Sequence, residues 1–206
     1  MKTFPIKIVM VGDLKVGKTS LQYTFENGHF PEEYIPTIFN SYCQLITLSK
    51  EQTTFRLQIW DTAGSRDYDN LRHLSYPMTD IFLLCFSLIS RKTFNNIADK
   101  WIKEVRHHCP GVPVILVGLK SDLKDNFDRS RLDSNSISEM SDSVKDQIPI
   151  ELHEGNEMKE QIGAISYIEI SSKENINVYE VFEFSCRYFY RHCRKTENSK
   201  AKCLIE

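Results

Sequence analysis

The segment Gly12-Asp13-Leu14-Lys15-Val16-Gly17-Lys18-Thr19 follows the pattern G-x-x-x-x-G-K-[ST], and its residue types suit one task, the holding of a phosphate chain. It lies between an apolar run at 6–11 and a helical pattern at 18–27 that includes Ser20. In that context the loop's backbone N–H groups point at an anion across a helix N-terminus. Gly17 lets the backbone approach the phosphates, Lys18 supplies a point charge to the terminal ones, and the Thr19 hydroxyl is placed to ligate Mg²⁺. A second signal ends a later apolar run, Trp60-Asp61-Thr62-Ala63-Gly64. An acidic residue at a strand end beside a phosphate loop can hold Mg²⁺, usually through water, and Gly64 lets its amide reach the last phosphate. Farther on, Leu119-Lys120-Ser121-Asp122 and Ser171-Ser172-Lys173 each follow an apolar run, where a base should lie.

These residues need a scaffold, and apolar strands alternate with amphipathic helices along the chain. Strands are predicted at 6–11, 41–48, 54–60, 81–87, 114–117 and 165–169, the second and third close enough to pair as a hairpin. Helices are predicted at 18–27, 93–107, 156–162 and 177–192. The alternation argues for an α/β fold, a mostly parallel sheet covered on both faces with ligands at the C-terminal strand ends. From 122 to 147 the chain is rich in Asp, Ser, Asn and Lys and reads as an exposed insertion.

A length of 206 residues suits one domain with a sizeable core, and 41% hydrophobic with 26% charged residues is ordinary for a globular protein. The net charge of −2 says little about partners, but from 187 to 202 six Lys or Arg face one Glu. Six cysteines show no C-x-x-C or zinc spacing and no secretory h-region is present, so reduced thiols in a cytosolic compartment are expected. The longest apolar runs, such as 81–89, are too short to span a bilayer, which leaves peripheral attachment. His107 and His108 read as residues of a helix C-terminus rather than a metal pair. The aromatic residues Phe182, Phe184, Tyr188 and Phe189 read as a sheet-packing helix face rather than a nucleic-acid platform.

With these motifs in place, the chain from 6 to 191 resembles a Ras-superfamily small GTPase of the Rho family. The Rho-like stretches are Phe30-Pro31-Glu32-Glu33-Tyr34-Ile35-Pro36-Thr37, Asp67-Tyr68-Asp69-Asn70-Leu71-Arg72, Leu74-Ser75-Tyr76-Pro77, and Trp101 with Glu104-Val105-Arg106-His107-His108-Cys109-Pro110. The resemblance implies the P-loop G-domain fold at 1–192, a six-stranded sheet with one antiparallel strand and an enlarged Rho-type insert at about 123–148, followed by a basic tail at 193–206. It implies GTP or GDP with Mg²⁺ as ligands, and two switch segments, 34–37 and 64–75, that effectors and regulators read. Thr37 should join Thr19 and Asp61 at Mg²⁺, Phe30 should pack edgewise on the guanine, and Tyr34 lies in the first switch. The Asp122 carboxylate can accept from guanine N1–H and the N2 amine, a pairing adenine cannot make. The Lys120 stem would cover the base face, and the Ser172 backbone N–H would meet guanine O6.

Three positions depart from the family pattern. Leu14 stands at a family glycine and should project toward the γ-phosphate, into the space of the attacking water and an arginine finger. Ser65 stands where the family carries the glutamine that orients that water, and its hydroxyl reaches less far. The catalytic parts are therefore not intact, and slow hydrolysis is expected, as in the atypical, Rnd-like branch. Leu119 replaces a family Asn or Thr and cannot make the hydrogen bond that ties the base loop to the phosphate loop. The missing bond costs about 1 kcal/mol and should speed exchange.

Cys203-Leu204-Ile205-Glu206 has the C-a-a-X form, though Glu is not a usual last residue. Prenylation at Cys203, helped by Lys195, Lys200 and Lys202, implies a cytoplasmic protein held at the cytoplasmic face of a membrane, the plasma membrane first. The expected protein is a monomeric switch acting on the actin cytoskeleton, polarity or trafficking, with no nucleic-acid partner. The alternative is a non-cycling scaffold whose nucleotide is structural or absent. A P-loop kinase or ATPase is disfavoured by the segment 61–64 and Asp122.

Overall fold

The computed structural model describes residues 3–33, 39–127, 146 and 148–192. Six strands form one sheet: β1 (Thr3–Gly12), β2 (Phe39–Leu48), β3 (Thr53–Thr62), β4 (Ile81–Ser87), β5 (Val114–Leu119) and β6 (Ser166–Ile170). Their spatial order is β2-β3-β1-β4-β5-β6, with β2 antiparallel to β3 and every other pair parallel. The chain order turns around β1, so the loop that leaves β1 opens at the topological switch point, where such sheets bind ligands.

The two faces of β1 separate the core into two bodies. Ile6, Ile8 and Met10 join Leu21 and Phe25 of α1 (Lys18–Asn27) and Val181, Phe182 and Cys186 of the C-terminal helix. Val9 and Val11 point the other way, into a body built on Phe82, Leu84, Phe94, Trp101 and Val105. Strands buried on both faces need continuous apolar runs, and β4 is buried at every position. Each fully buried large side chain of this kind contributes about 1.5–3 kcal/mol.

The other α-helices among the described residues are α2 (Asp69–His73), α3 (Arg91–Asn96), α4 (Ile102–His108), α5 (Ser121–Asp125), α6 (Leu152–Ile162) and α7 (Val178–His192). The stretch predicted as one helix at 93–107 runs from α3 to α4 through a π-helical turn at Ile97–Trp101. The extra residue of such a turn redirects the face beyond it, and here it delivers the Trp101 indole to the phosphate loop. The Asp/Ser-rich insertion begins as the short helix α5, in which Lys124 pairs with Glu169 at 2.9 Å, rather than as exposed chain. Most of the anticipated insert, and the whole anticipated tail with Cys203, lie outside the described residues. Where the chain returns, the Asp146 carboxylate accepts from the Ser90 hydroxyl at 3.1 Å and from the Lys92 N–H at 2.5 Å. Arg91 donates to Ile148 O at 3.2 Å, Pro149 O at 3.0 Å and Glu154 at 2.5 Å, fixing the returning chain between α3 and α6. Among the described residues no helix is long and apolar enough to cross a membrane.

Candidate nucleotide site

The phosphate loop is a strand–loop–helix turn set by two backbone features. Gly17 caps α1 at φ 115°, a left-handed conformation that side-chain-bearing residues rarely take. No side chain caps α1 and its first turn holds no acidic residue, so the positive end of the helix is left to an external anion. The Lys18 ammonium is buried and donates to Gly12 O and Asp13 O, both at 2.9 Å, which folds the lysine back along the loop. Burial lowers its pKa, opposed by Asp61, Cys85 and Asp13.

A cavity of about 480 Å³ opens over this loop and brings together Leu14, Lys15, Gly17, Lys18, Thr19, Ser20, Phe30, Gly64 and Lys120. Gly64 closes against the loop so tightly that a Cβ there would lie 2.4 Å from Asp13 C and Leu14 N. The Thr19 hydroxyl donates to Asp61 Oδ2 at 2.5 Å, with Asp61 fully buried at the end of β3. A hydroxyl and a carboxylate side by side are hard oxygen donors, which is the ligand chemistry of Mg²⁺. Among the described residues no group of three or more His, Cys, Asp or Glu could hold a metal. The pair thus fits a cation that takes one or two protein ligands and completes its shell with phosphates and water.

A smaller cavity of about 190 Å³ adjoins the first, sharing Gly17, Ser20, Phe30 and Lys120 and adding Asp122, Ser172 and Lys173. Lys120 takes a left-handed φ of 68°, which turns the chain into α5, and burial lowers its pKa against the pull of Asp122. Ser171, fully buried, donates its hydroxyl to Asp122 Oδ1 at 2.7 Å and so fixes the carboxylate from behind. Leu119 is buried, its Cδ1 3.6 Å from where a Gly17 Cβ would lie, so the loop rests on an apolar side chain.

Val16 packs into the core and offers the loop only its backbone. The Asp13 carboxylate turns to the helices, accepting from Trp101 Nε1 at 2.8 Å and Asn96 Nδ2 at 2.5 Å, so that Asp13 serves the loop through its main chain. Leu14 is 51% exposed and lines both the 480 Å³ cavity and an open groove toward α3. The Ser65 hydroxyl bonds back to Asp67 Oδ2 at 2.9 Å, within its own turn. Tyr34, Thr37 and Cys203 lie outside the described residues.

Two parts escaped sequence reasoning. One is the Trp101–Asn96 grip on Asp13, for which the only signal is an Asp in a loop otherwise meant for anions. The other is a buried guanidinium, Arg72, bonded to Glu104 through Nε at 2.9 Å and Nη2 at 3.2 Å. Tyr76 OH donates to the same carboxylate at 2.5 Å. Burial pushes the Glu104 pKa up, but hydrogen bonds from Arg72 and Tyr76, with the charges of Arg72 and His73, outweigh it, and the carboxyl titrates below its usual range.

The geometry agrees with comparisons to known proteins. The model of the Ras family matches residues 7–191. GTP-binding protein RHO1 of Candida albicans is 42% identical over 199 residues, which cover 97% of this chain and 94% of the relative. With the phosphate loop at the switch point of a six-stranded mixed sheet, a match of that extent has one meaning: the chain belongs to the Ras family of small GTPases.

Proposed function

We propose that this protein is a Rho-type molecular switch that binds GTP and GDP with Mg²⁺, signals through its two switch segments, and hydrolyses GTP slowly. The observation that carries the reading is the pair of joined cavities: one at an uncapped helix end lined by Lys18 and Thr19, with the buried Asp61 bonded to the Thr19 hydroxyl, the other lined by Asp122 held in place by Ser171. In this reading the loop amides and Lys18 bind the phosphates. Thr19 and Asp61, joined by Thr37, hold the cation, which when bound supplies positive charge to the last two phosphates. Asp122 reads the guanine edge, the Ser172 N–H meets O6, and Phe30 with the Lys120 stem encloses the base.

Slow hydrolysis is argued from two side chains. Leu14 fills space beside the terminal phosphate, and Ser65, engaged with Asp67, is in no position to orient water. Both features support the Rnd-like, GTPase-impaired branch. The formed cavities favour a ligand-binding switch over a scaffold without nucleotide. We place the G domain at 1–192 and the basic tail at 193–206, and assign Cys203 as the prenylation site of a monomer working peripherally at the plasma membrane on actin, polarity or trafficking. Effectors and regulators would meet the switch segments.

The test is to denature the purified protein and identify the nucleotide released, then to follow phosphate release in a single turnover. Bound GTP with slow release supports the proposal. Bound GDP with rapid release overturns the slow-hydrolysis part, and the absence of any guanine nucleotide overturns the site.

A further inference from the structure

Arg72 lies in α2, at 1% side-chain exposure, and its guanidinium does more than pair with Glu104. Nη1 donates to Ala63 O at 2.8 Å and to Ser65 O at 3.3 Å, the carbonyls on either side of Gly64, and Nη2 also bonds Asp69. One planar cation therefore holds the backbone that carries Gly64. In a trans peptide the carbonyl and the following N–H point in opposite directions. The Ala63 carbonyl is aimed at Arg72, so the Gly64 N–H of the same peptide is aimed away from it. Gly64 abuts Asp13 and Leu14 and lines the cavity with Lys15, Lys18 and Thr19, which is where a terminal phosphate would sit.

Resting on the nucleotide reading above, we propose that Arg72, held by Glu104, is a positioning residue that orients the Gly64 amide toward the last phosphate and so strengthens the site's hold on a triphosphate relative to a diphosphate. The carboxylate matters because it fixes the fork: Glu104 takes two guanidinium bonds and Tyr76 OH steadies the same oxygen. A bidentate pair of this kind fixes orientation as well as charge. A peptide held in this orientation by the guanidinium spends less of the γ-phosphate's binding energy on being turned. A diphosphate does not reach Gly64 and draws no benefit from this arrangement.

The experiment measures affinity for GDP and for a non-hydrolysable GTP analogue, both with Mg²⁺, on the full chain and on Arg72→Lys and Glu104→Gln. Arg72→Lys keeps the charge and loses the fork; Glu104→Gln keeps shape and one acceptor, and serves if the lysine variant does not fold. The expected result is a ratio of triphosphate to diphosphate affinity reduced about tenfold in Arg72→Lys, the loss of one charge-assisted hydrogen bond, with GDP affinity within about twofold of the parent. A smaller loss in the same direction is expected for Glu104→Gln. Parallel weakening toward both nucleotides would make Arg72 a purely structural residue and overturn the inference, as would an unchanged ratio in both variants. Failure of the parent chain to bind either nucleotide would instead overturn the underlying reading of the site.

Discussion

Replacing Trp101 by phenylalanine deletes one N–H while keeping most of a ring that is fully buried between α3, α4 and the sheet. The deleted donor stands 2.8 Å from Asp13 Oδ1, and Asn96 remains on Oδ2. A hydrogen bond to an ionised acceptor contributes about 1.5–3 kcal/mol net, and because Asp13 is half-buried, with water able to take the vacated place, the expected loss is about 1.5 kcal/mol. That is about a tenfold change in an equilibrium constant. Truncating the ring adds a packing cost that has nothing to do with the loop, so the informative quantity is the coupling in a cycle of Trp101→Phe, Asp13→Asn and the double variant. The carboxamide still accepts, but without charge, and the expected coupling is about 1 kcal/mol. Urea unfolding followed by circular dichroism measures it, and release of bound nucleotide reads the same coupling at the loop. A coupling within about 0.3 kcal/mol of zero would refute the claim that the indole acts through the Asp13 carboxylate.

Three further outcomes are expected. Leu14→Gly combined with Ser65→Gln should raise single-turnover GTP hydrolysis toward an intrinsic rate of ~10⁻⁴ s⁻¹, and an unchanged rate would show that these side chains are not the obstacle. Leu119→Asn should slow nucleotide release about fivefold by restoring a polar tie between the base loop and the phosphate loop; release as fast as in the parent would refute that role. The Glu104 carboxyl titrates below its usual range in the folded protein, despite burial, because Arg72 and Tyr76 hydrogen-bond its ionised form. The unfolded chain therefore takes up this proton first on acidification. The stabilisation is complete above the ordinary glutamate value of about 4.3 and is lost as pH falls through the lower folded value. The stability gap between the parent and Glu104→Gln should accordingly shrink below about pH 4, and a gap that is constant from pH 7 to pH 3 would count against the pairing.

The sequence carried the sheet well because the central strands β4 and β5 are buried at every position and read as unbroken apolar runs, while β3 alternates buried and more open positions. Their ends were less legible. Polar residues such as Thr3 and Thr62 extend β1 and β3 by backbone pairing, which leaves no mark on hydropathy. The short helices α2 and α5 span too few turns to show a period, and the π-helical turn before α4 hides within an ordinary helical pattern. At the site, motif spacing located the loop, Asp61, Lys120 and Asp122, since their chemistry depends on local backbone turns. Arg72 and Glu104 are 32 residues apart and meet only because α2 folds onto α4, and a charged residue in a polar stretch gives no hint that it is buried. The direction of the Asp13 side chain was hidden for the same reason, its partners lying 83 and 88 residues away.

The chain has two tryptophans, and they report on different places. Trp60 is partly open to solvent under the Lys7 ammonium, 4.1 Å from its ring, whereas Trp101 is shielded from solvent with its indole N–H committed to the loop. Fluorescence from the shielded indole should therefore be blue-shifted and sensitive to any stretching of that bond, with the other tryptophan serving as an internal reference. The buried indole is thus placed as an optical gauge of the phosphate loop, legible without a dye or a tag.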